Sequence, residues 1–309
     1  MPMRIAHALA TMRPFFSFEF FPPRDDAGME QLFATIETLR PLRPAFVSIT
    51  YGAGGSARAR TIELAKRVQR EIGLTVLAHA TCVGSSRAEL RGLFDDLARA
   101  GIKNVLALRG DPPRGEAAFT PPSGGFGHAT ELIAMLHRNY NFCIGAACYP
   151  EVHPEAQSPE SDLAYLREKV ENGAEFLISQ LFLDNDAYFG FVERARAAGI
   201  GVPILPGLMP VTNYEQIKRF VAMCGAKIPP KLQVEMESRL GDASAVEDLG
   251  VAYAAMQAVE LLRSGAPGIH FYTLNRSPAT RALVSAMLAA SAWRPVPART
   301  QRARHTLIT

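Results

Sequence analysis

The stretch that decides the fold is FFSFEFFPPRDDAGMEQLFATIETL, residues 15–39. Five of its first seven residues are phenylalanine, which favours a β-strand, and Pro22 and Pro23 end that strand. Apolar residues then recur with helical spacing over residues 29–39. The stretch therefore predicts a strand followed directly by an amphipathic helix.

The same strand–helix pattern recurs along the chain. Further β-rich apolar runs cover residues 45–51, 75–83, 104–109, 143–149, 176–183, 202–209 and 268–274. Strands that alternate with helices predict a parallel sheet, and eight such units in one chain predict an α/β fold, a single (β/α)8 TIM barrel. We also expect an extra helix near residues 231–239, before the helix at 244–263 and the eighth strand, and a C-terminal helix near 278–290.

The domain organisation follows from the same pattern. We expect one barrel domain over residues 1–309, with mobile tails at 1–12 and 294–309. The chain carries 33 basic and 30 acidic residues, a net charge of only +3, which argues against a nucleic-acid-binding surface.

The sequence also favours a cytoplasmic protein. It has neither a signal-peptide pattern nor an apolar run of membrane-spanning length, so we expect no membrane association. The four cysteines fit neither a disulfide framework nor a zinc spacing, and the seven histidines are scattered. We therefore expect a reducing compartment and no metal site.

Polar residues gather where the predicted strands end. Examples are Glu19 on the first strand, His79 on the third and Arg109 on the fourth. TIM-barrel active sites lie at the C-terminal ends of the strands. So many polar groups on successive strands predict a large polar ligand across the mouth of the barrel.

Glu19 is the candidate acid. Burial among aromatic rings disfavours the ionised carboxylate, so we expect a partner or a raised pKa, the property that a general acid needs. The alternative is a glutamate on the solvent face of an edge strand.

One motif points to a different fold. Residues 52–57, GAGGSA, match the relaxed dinucleotide-binding pattern after a strand and before a helix, but the third strand lacks the acidic residue that should follow. The alternative that this motif leaves open is a Rossmann dehydrogenase that binds NAD without a flavin.

Six motifs together resemble the bacterial 5,10-methylenetetrahydrofolate reductases. In order they are FEFFPP (18–23), VSITYGA (47–53), ALRGDPP (107–113), YPEVHPEA (149–156), PGLMPV (206–211) and HFYTLNR (270–276). The likeness covers residues 13–290 and implies a single catalytic domain, a TIM barrel that carries FAD, without the C-terminal regulatory domain of the eukaryotic relatives. It also implies folate as substrate, NADH or NADPH as co-substrate, and a homo-oligomer, either a dimer or a tetramer.

The resemblance implies a ping-pong reaction. The nicotinamide nucleotide reduces FAD and leaves, and 5,10-methylenetetrahydrofolate then takes the hydride and becomes 5-methyltetrahydrofolate. Glu19 aligns with the general acid that opens the folate ring. Asp111 aligns with a carboxylate beside the flavin, whose charge favours hydride donation. The physiological direction stays open, and the reverse oxidation is an alternative.

The resemblance also implies binding residues. The FAD contacts are Thr50, Tyr51, Ala53, His79, Arg109, Gly110, Asp111, Ala129, Tyr149, His153, Ala156, Asp162, Tyr165 and Lys169. The substrate contacts are Gln180, Gln216, Phe220, Tyr272 and Arg276.

This chain departs from the family pattern at three places. Glu168 replaces a basic residue, Tyr165 replaces an asparagine, and residues 114–127 differ in sequence and length, changes that would loosen FAD. A folate- or flavin-binding barrel without turnover is the alternative to an enzyme, although a simple binder has no need of Glu19 as a proton donor.

Overall fold

The computed structural model describes residues 3–12, 14–51, 55–112, 119–276, 278–291 and 293, and leaves out the side chains of 55–58. Its strands are β1 (Phe15–Phe20), β2 (Phe46–Ile49), β3 (Val76–Thr81), β4 (Asn104–Leu108), β5 (Cys143–Cys148), β6 (Phe176–Ser179), β7 (Ile204–Leu205), β8 (Gly207–Leu208) and β9 (Gly268–Tyr272). All the strand pairs are parallel, in the order β7-β6-β5-β4-β3-β2-β1-β9-β8.

The helices lie outside this sheet or close its ends. They are α1 (Ile5–Thr11), α2 (Asp26–Leu39), α3 (Gly55–Arg67), α4 (Arg87–Arg99), α5 (Ala129–Asn139), α6 (Pro159–Glu171), α7 (Asn185–Ala197), α8 (Tyr214–Cys224), α9 (Pro230–Glu237), α10 (Ala243–Arg263) and α11 (Pro278–Ala290). A short 3₁₀ helix, Arg40–Leu42, follows α2, and a π-helical segment, Val68–Ile72, follows α3. The predicted eight-unit barrel is confirmed, including the extra helix α9 and the C-terminal helix α11.

The seventh barrel strand was predicted as one run over residues 202–209, but the structure has two short strands there, β7 and β8. Pro206 has no N–H to donate to a sheet ladder, and it separates β7, which pairs with β6, from β8, which pairs with β9. The two short strands together close the barrel. A side chain at Gly207 would overlap the Ser179 carbonyl oxygen and the Tyr272 ring, so only glycine lets these strands approach.

The N-terminal prediction of a mobile tail over residues 1–12 is wrong for residues 5–11. They form α1, whose Ile5 and Leu9 are fully buried in an apolar cluster with Phe46 and Phe176 on the barrel interior. The Ile5 N–H donates to the Asn104 side chain at 2.8 Å. Helix α1 therefore closes the end of the barrel opposite the strand C-termini. The predicted tail at 294–309 lies outside the described residues.

Helix starts follow local capping chemistry. Ser86 and Glu89 form a capping box at the start of α4, and Ser158 caps α6 with Pro159 in its first turn. The start of α8 has a simpler cap. Asn213 is the cap, and its side chain accepts from the Gln216 N–H at 2.8 Å.

Candidate active site

Because the strands are parallel, their C-terminal ends meet at one mouth of the barrel. Ten of the predicted site residues lie within three residues of a strand's C-terminal end: Glu19, Thr50, Tyr51, His79, Arg109, Gly110, Asp111, Tyr149, Gln180 and Tyr272. The fold therefore gathers residues that are up to 253 positions apart in the chain.

A buried carboxylate lies at the centre of this mouth. The Glu19 side chain is 13% exposed, and its Oε2 lies 3.3 Å from Ser48 Oγ, 3.4 Å from His270 Nε2 and 3.5 Å from His79 Nε2. These residues come from β1, β2, β9 and β3, and we call the four of them the carboxylate centre.

The electrostatics of Glu19 correct the sequence prediction. Burial raises the pKa of Glu19, but the hydrogen bond from His270, the imidazole charges and the Ser48 hydroxyl outweigh it, so the pKa lies below its usual value. Burial also lowers the pKa of His79 to about 4, which leaves His79 neutral at pH 7. At neutral pH the carboxylate is therefore stabilised mainly by His270 and Ser48. Of the two outcomes expected from the sequence, the structure shows a partner and not a raised pKa.

The error has a simple geometric cause. Successive side chains on a strand face opposite sides of the sheet. Phe18 and Phe20 pack outward with the helix residues Leu32 and Ile36, whereas Glu19 faces the barrel interior. The aromatic neighbours in sequence are therefore not the neighbours of the carboxylate in space.

The loop after β9 fixes the end of the strand that carries Glu19. Thr273 Oγ1 donates to the Glu19 carbonyl at 2.6 Å, and the Asn275 side chain both accepts from the Phe21 N–H and donates to the Phe21 carbonyl. Leu274 and Asn275 hold left-handed backbone angles, φ 51° and 59°. Such strain at a non-glycine pair indicates a loop held in place for function.

A second group brings three basic residues together beside the mouth. Arg109, His153 and Lys169 form what we call the cationic cluster. Burial lowers the pKa of both Lys169 and His153, and the positive charge of Arg109 lowers each further. Asp162 offsets this, and its carboxylate accepts from the His153 N–H at 3.1 Å. The cluster is therefore suited to an anion.

The Arg109 guanidinium is held across two loops. Its two terminal nitrogens donate to both oxygens of Glu155, at 2.5 and 2.7 Å, and the group lies 5.2 Å from the centre of the Phe119 ring. The pair links the loop after β4 to the loop after β5.

Two buried polar atoms near the mouth have no hydrogen-bond partner among the described residues, namely His79 Nε2 and Thr81 Oγ1. His79 Nε2 lies 3.5 Å from Glu19 Oε2 without a hydrogen bond. Native proteins rarely leave such groups unpaired, so both atoms are suited to contact polar atoms of a ligand. Gly110 lies beside them at φ 88°, and a Cβ there would lie 2.6 Å from a Val83 methyl group. A bulkier residue at this position would displace the strand ends that form the mouth.

The other predicted site residues differ in their exposure. Asp111 is exposed and its charge acts on Arg109, Arg276 is exposed, and Gln216 and Phe220 lie half-buried on α8. Tyr165 is 56% exposed and stacks on His128, with ring centres 6.3 Å apart. Ala129 is buried at the start of α5, Ala156 is half-buried, and Glu168 is exposed on α6. Ala53 falls outside the described residues, as do residues 113–118 of the divergent loop.

Sequence reasoning missed the inner partners of the carboxylate. Ser17, Ser48 and His270 are fully buried. Each lies two residues before a residue of the mouth, namely Glu19, Thr50 and Tyr272 in that order. The two-residue period of a strand could have found them. Glu155 and Phe119, which hold Arg109, carry no comparable sequence signal.

Two further searches covered the described residues. They contain no group of three or more His, Cys, Asp or Glu side chains placed to hold a metal ion. They also contain no helix long and apolar enough to span a bilayer.

Comparisons with known proteins place the chain in a family. Residues 4–287 match the family model described as methylenetetrahydrofolate reductase. The chain is 40% identical over 268 residues to 5,10-methylenetetrahydrofolate reductase of Salmonella typhimurium, covering 86% of this chain and 88% of that protein. It is 39% identical over 271 residues to methylenetetrahydrofolate reductase (NADH) 1 of Arabidopsis thaliana, covering 84% of this chain.

The matches differ in how much of the other protein this chain covers. The chain spans only 46% of the length of the Arabidopsis protein. Among solved structures, a Clostridium thermocellum protein described as binding two copies of 5-methyl-5,6,7,8-tetrahydrofolic acid matches with a TM-score of 0.61. It covers 90% of this chain and 96% of its own at 15% identity, a similarity of fold alone. By the family model and the bacterial match, this chain belongs to the methylenetetrahydrofolate reductase family.

Proposed function

We propose that this protein reduces 5,10-methylenetetrahydrofolate to 5-methyltetrahydrofolate, with NADH or NADPH as reductant and FAD as bound redox cofactor. The observation that carries the proposal is the buried carboxylate of Glu19 at the mouth of the barrel, surrounded by three groups that can exchange or donate protons. Family membership supports the same activity.

The chemistry explains why a carboxyl group is needed. The methylene carbon of the substrate bridges two nitrogens in a five-membered ring and is a poor hydride acceptor in that form. Protonation of one nitrogen lets the ring open to an iminium ion, which accepts hydride readily. Glu19 is the residue that we assign to this proton transfer, which general acid catalysis accelerates by roughly 10²–10⁴-fold.

The residues present fit FAD. The cationic cluster of Arg109, His153 and Lys169 would hold the diphosphate, and the unpaired His79 Nε2 and Thr81 Oγ1 offer buried partners for polar atoms of the cofactor. When bound, FAD supplies the means to take hydride from a nicotinamide nucleotide and pass it to the folate. Glu155 already neutralises part of the cluster, so the Glu155–Arg109 pair must rearrange or share the guanidinium.

The remaining site assignments are proposals of the same kind. Gln180 would contact the nicotinamide and the folate in turn, and Tyr272 lies beside the carboxylate centre with its hydroxyl donating to the Ser179 carbonyl at 2.6 Å. On α8, Gln216 would bind the folate and Phe220 would stack on it. Arg276 would bind the carboxylate end of the folate from the rim.

Further features of the reaction follow from the same proposal. Asp111 would lower the potential of the bound flavin by its negative charge, and the reaction would proceed by a ping-pong mechanism. The protein would form a homo-oligomer, a dimer or a tetramer. The site is equally compatible with oxidation of methyltetrahydrofolate in the reverse direction.

An anaerobic titration of the purified protein followed by its visible spectrum tests the proposal. We expect a flavin band that NADH or NADPH bleaches and that 5,10-methylenetetrahydrofolate restores. In Glu19→Gln the nicotinamide nucleotide should still bleach the flavin band, while the rate at which the folate restores it falls at least 100-fold. The control Glu63→Gln changes an exposed carboxylate on α3 and should behave as the wild type. Absence of a flavin band after incubation with FAD would refute the cofactor, and equal recovery in Glu19→Gln would refute the role of Glu19.

A further inference from the structure

A line of buried polar groups continues from Glu19 into the barrel. His270 is completely buried, its Nδ1 lies 2.8 Å from Ser17 Oγ, and its Nε2 lies 3.4 Å from Glu19 Oε2. The β1–β9 register pairs Ser17 with His270 and Glu19 with Tyr272, so the contacts follow from strand pairing. Ser17, His270 and Glu19 thus form one hydrogen-bonded path from the interior to the mouth.

The path can hold its protons in two ways. With a neutral imidazole, Ser17 donates to Nδ1 and Nε2–H donates to the Glu19 carboxylate. With one more proton, both imidazole nitrogens are donors, Ser17 Oγ accepts from Nδ1–H, and the extra charge is balanced by Glu19. Histidine is the side chain that exchanges a proton near neutral pH. The second arrangement therefore stores a proton next to a carboxylate that is itself ionised.

This storage meets a need that Glu19 alone does not meet. A general acid must carry its proton when the substrate arrives, yet the surroundings of Glu19 favour the ionised form. We propose that His270 is the proton store of Glu19, and that Ser17 positions it, so that the pair delivers one proton to the folate at neutral pH. This inference rests on the proposed function and assigns its proton source.

The step balances without a further reactant. The bond between the methylene carbon and the departing nitrogen breaks, and its electron pair stays on the nitrogen. Glu19, a carboxylate at the start, takes the Nε2 proton of His270 and passes it to that nitrogen. The imidazolium becomes a neutral imidazole, Glu19 is again a carboxylate, and the neutral folate ring becomes an iminium cation.

The groups packed around His270 do not compete for this role. His79 on β3 is neutral because burial lowers its pKa to about 4. Burial keeps the Tyr272 phenol protonated by raising its pKa, and its hydroxyl is engaged with Ser179. On β2, Ser48 Oγ lies 3.5 Å from Nε2, and the Phe46 ring stacks on the imidazole at 5.9 Å.

The kinetic test measures the two half-reactions separately by stopped-flow absorbance between pH 5.5 and 8.5. In His270→Gln we expect flavin reduction by NADH to stay within about twofold of the wild type. Flavin reoxidation by 5,10-methylenetetrahydrofolate should fall at least tenfold at pH 7.5. The deficit should shrink toward pH 5.5, because the fraction of Glu19 that the medium protonates rises with the proton concentration, about tenfold for each pH unit. Ser17→Ala keeps the imidazole and should show a smaller deficit with the same pH trend. His7→Gln, on the exposed side of α1, is the matched histidine control.

A second measurement examines the Glu19–His270 pair without turnover. ¹⁵N NMR at pH 7.5 of histidine-labelled protein prepared without flavin, assigned with His270→Gln, shows which ring nitrogens of His270 carry a proton. We expect a proton on Nε2, the nitrogen that faces Glu19. A ring protonated at Nδ1 alone would overturn the inference.

The outcomes separate the inference from the proposed function. A reoxidation deficit that is the same at every pH indicates a structural role for His270 and overturns the inference, while the reductase activity stands. If 5,10-methylenetetrahydrofolate fails to reoxidise the wild-type flavin at any pH, the proposed function is wrong and this inference is wrong with it.

Discussion

The helix that closes the barrel floor should contribute measurably to stability. Leu9 on α1 is completely buried in the apolar cluster with Phe46 and Phe176. Leu9→Ala removes three carbon atoms from this cluster, which costs roughly 0.8 kcal/mol per buried methylene, and leaves a cavity. We therefore expect the free energy of unfolding to fall by about 3 kcal/mol, within the roughly 2–5 kcal/mol of buried leucine truncations.

Urea unfolding followed by the fluorescence of the single tryptophan, Trp293, measures this change. Trp293 packs against Phe16 at 5.9 Å between ring centres, so its emission reports on the packing of β1. His7→Ala changes an exposed residue of the same helix and should stay within about 0.5 kcal/mol of the wild type. If Leu9→Ala is as mild as His7→Ala, residues 5–11 behave as a mobile tail in solution and the buried position of α1 is refuted.

Three further predictions concern the mouth of the barrel. The pKa of His79 is about 4 in the folded protein, against an ordinary value of 6.5. Between pH 4 and pH 6.5 the unfolded chain therefore binds a proton at His79 that the folded protein does not bind. Stability should therefore fall by about 3 kcal/mol as the pH drops from 6.5 to 4, and urea midpoints in His79→Gln should lose most of this dependence. Gly110→Ala should weaken FAD binding, measured by flavin fluorescence, at least tenfold. The new Cβ would overlap Val83, and the backbone there has a left-handed φ. Gly201→Ala is the control and should bind FAD normally, because a Cβ at that position meets no atom within 4 Å. Asn275→Ala should cost about 2 kcal/mol in urea unfolding, since it leaves both backbone groups of Phe21 without partners; no loss would show that this loop does not fix β1.

Much of the barrel could be predicted from periodicity because its strands and helices are regular. Seven of the eight predicted strand runs contain one observed strand each, with ends shifted by at most four residues. The seventh run was misjudged because its apolar composition hides Pro206, whose missing N–H divides the ladder. Ile5, Ala8 and Leu9 have helical spacing, yet a seven-residue segment is too short for periodicity to distinguish from a tail.

The candidate site was predictable in position but not in electrostatics. The strand-end rule located Glu19, His79, Arg109 and Tyr272 at one mouth, as the structure confirms. The protonation behaviour of Glu19 depends on His270, which is 251 residues away and is brought near by β1–β9 pairing. Only the register of that pairing, which a sequence alone does not reveal, shows which side chains share the interior.

The barrel interior has an apolar layer at its floor, a polar layer above it and Glu19 at the mouth, and this order bears on how Glu19 obtains its proton. The lower layer of the described residues is apolar and closed by α1, so the mouth is the path that we expect water to take to Glu19. A planar ligand stacked over the mouth would close that path at the moment when the substrate needs a proton. An acid that exchanged its proton only with solvent would then have no proton source. An acid with a protonated histidine beside it would keep one. The polar layer formed by Ser17, Ser48 and His270 lies between the apolar floor and Glu19, which is where such a store must be.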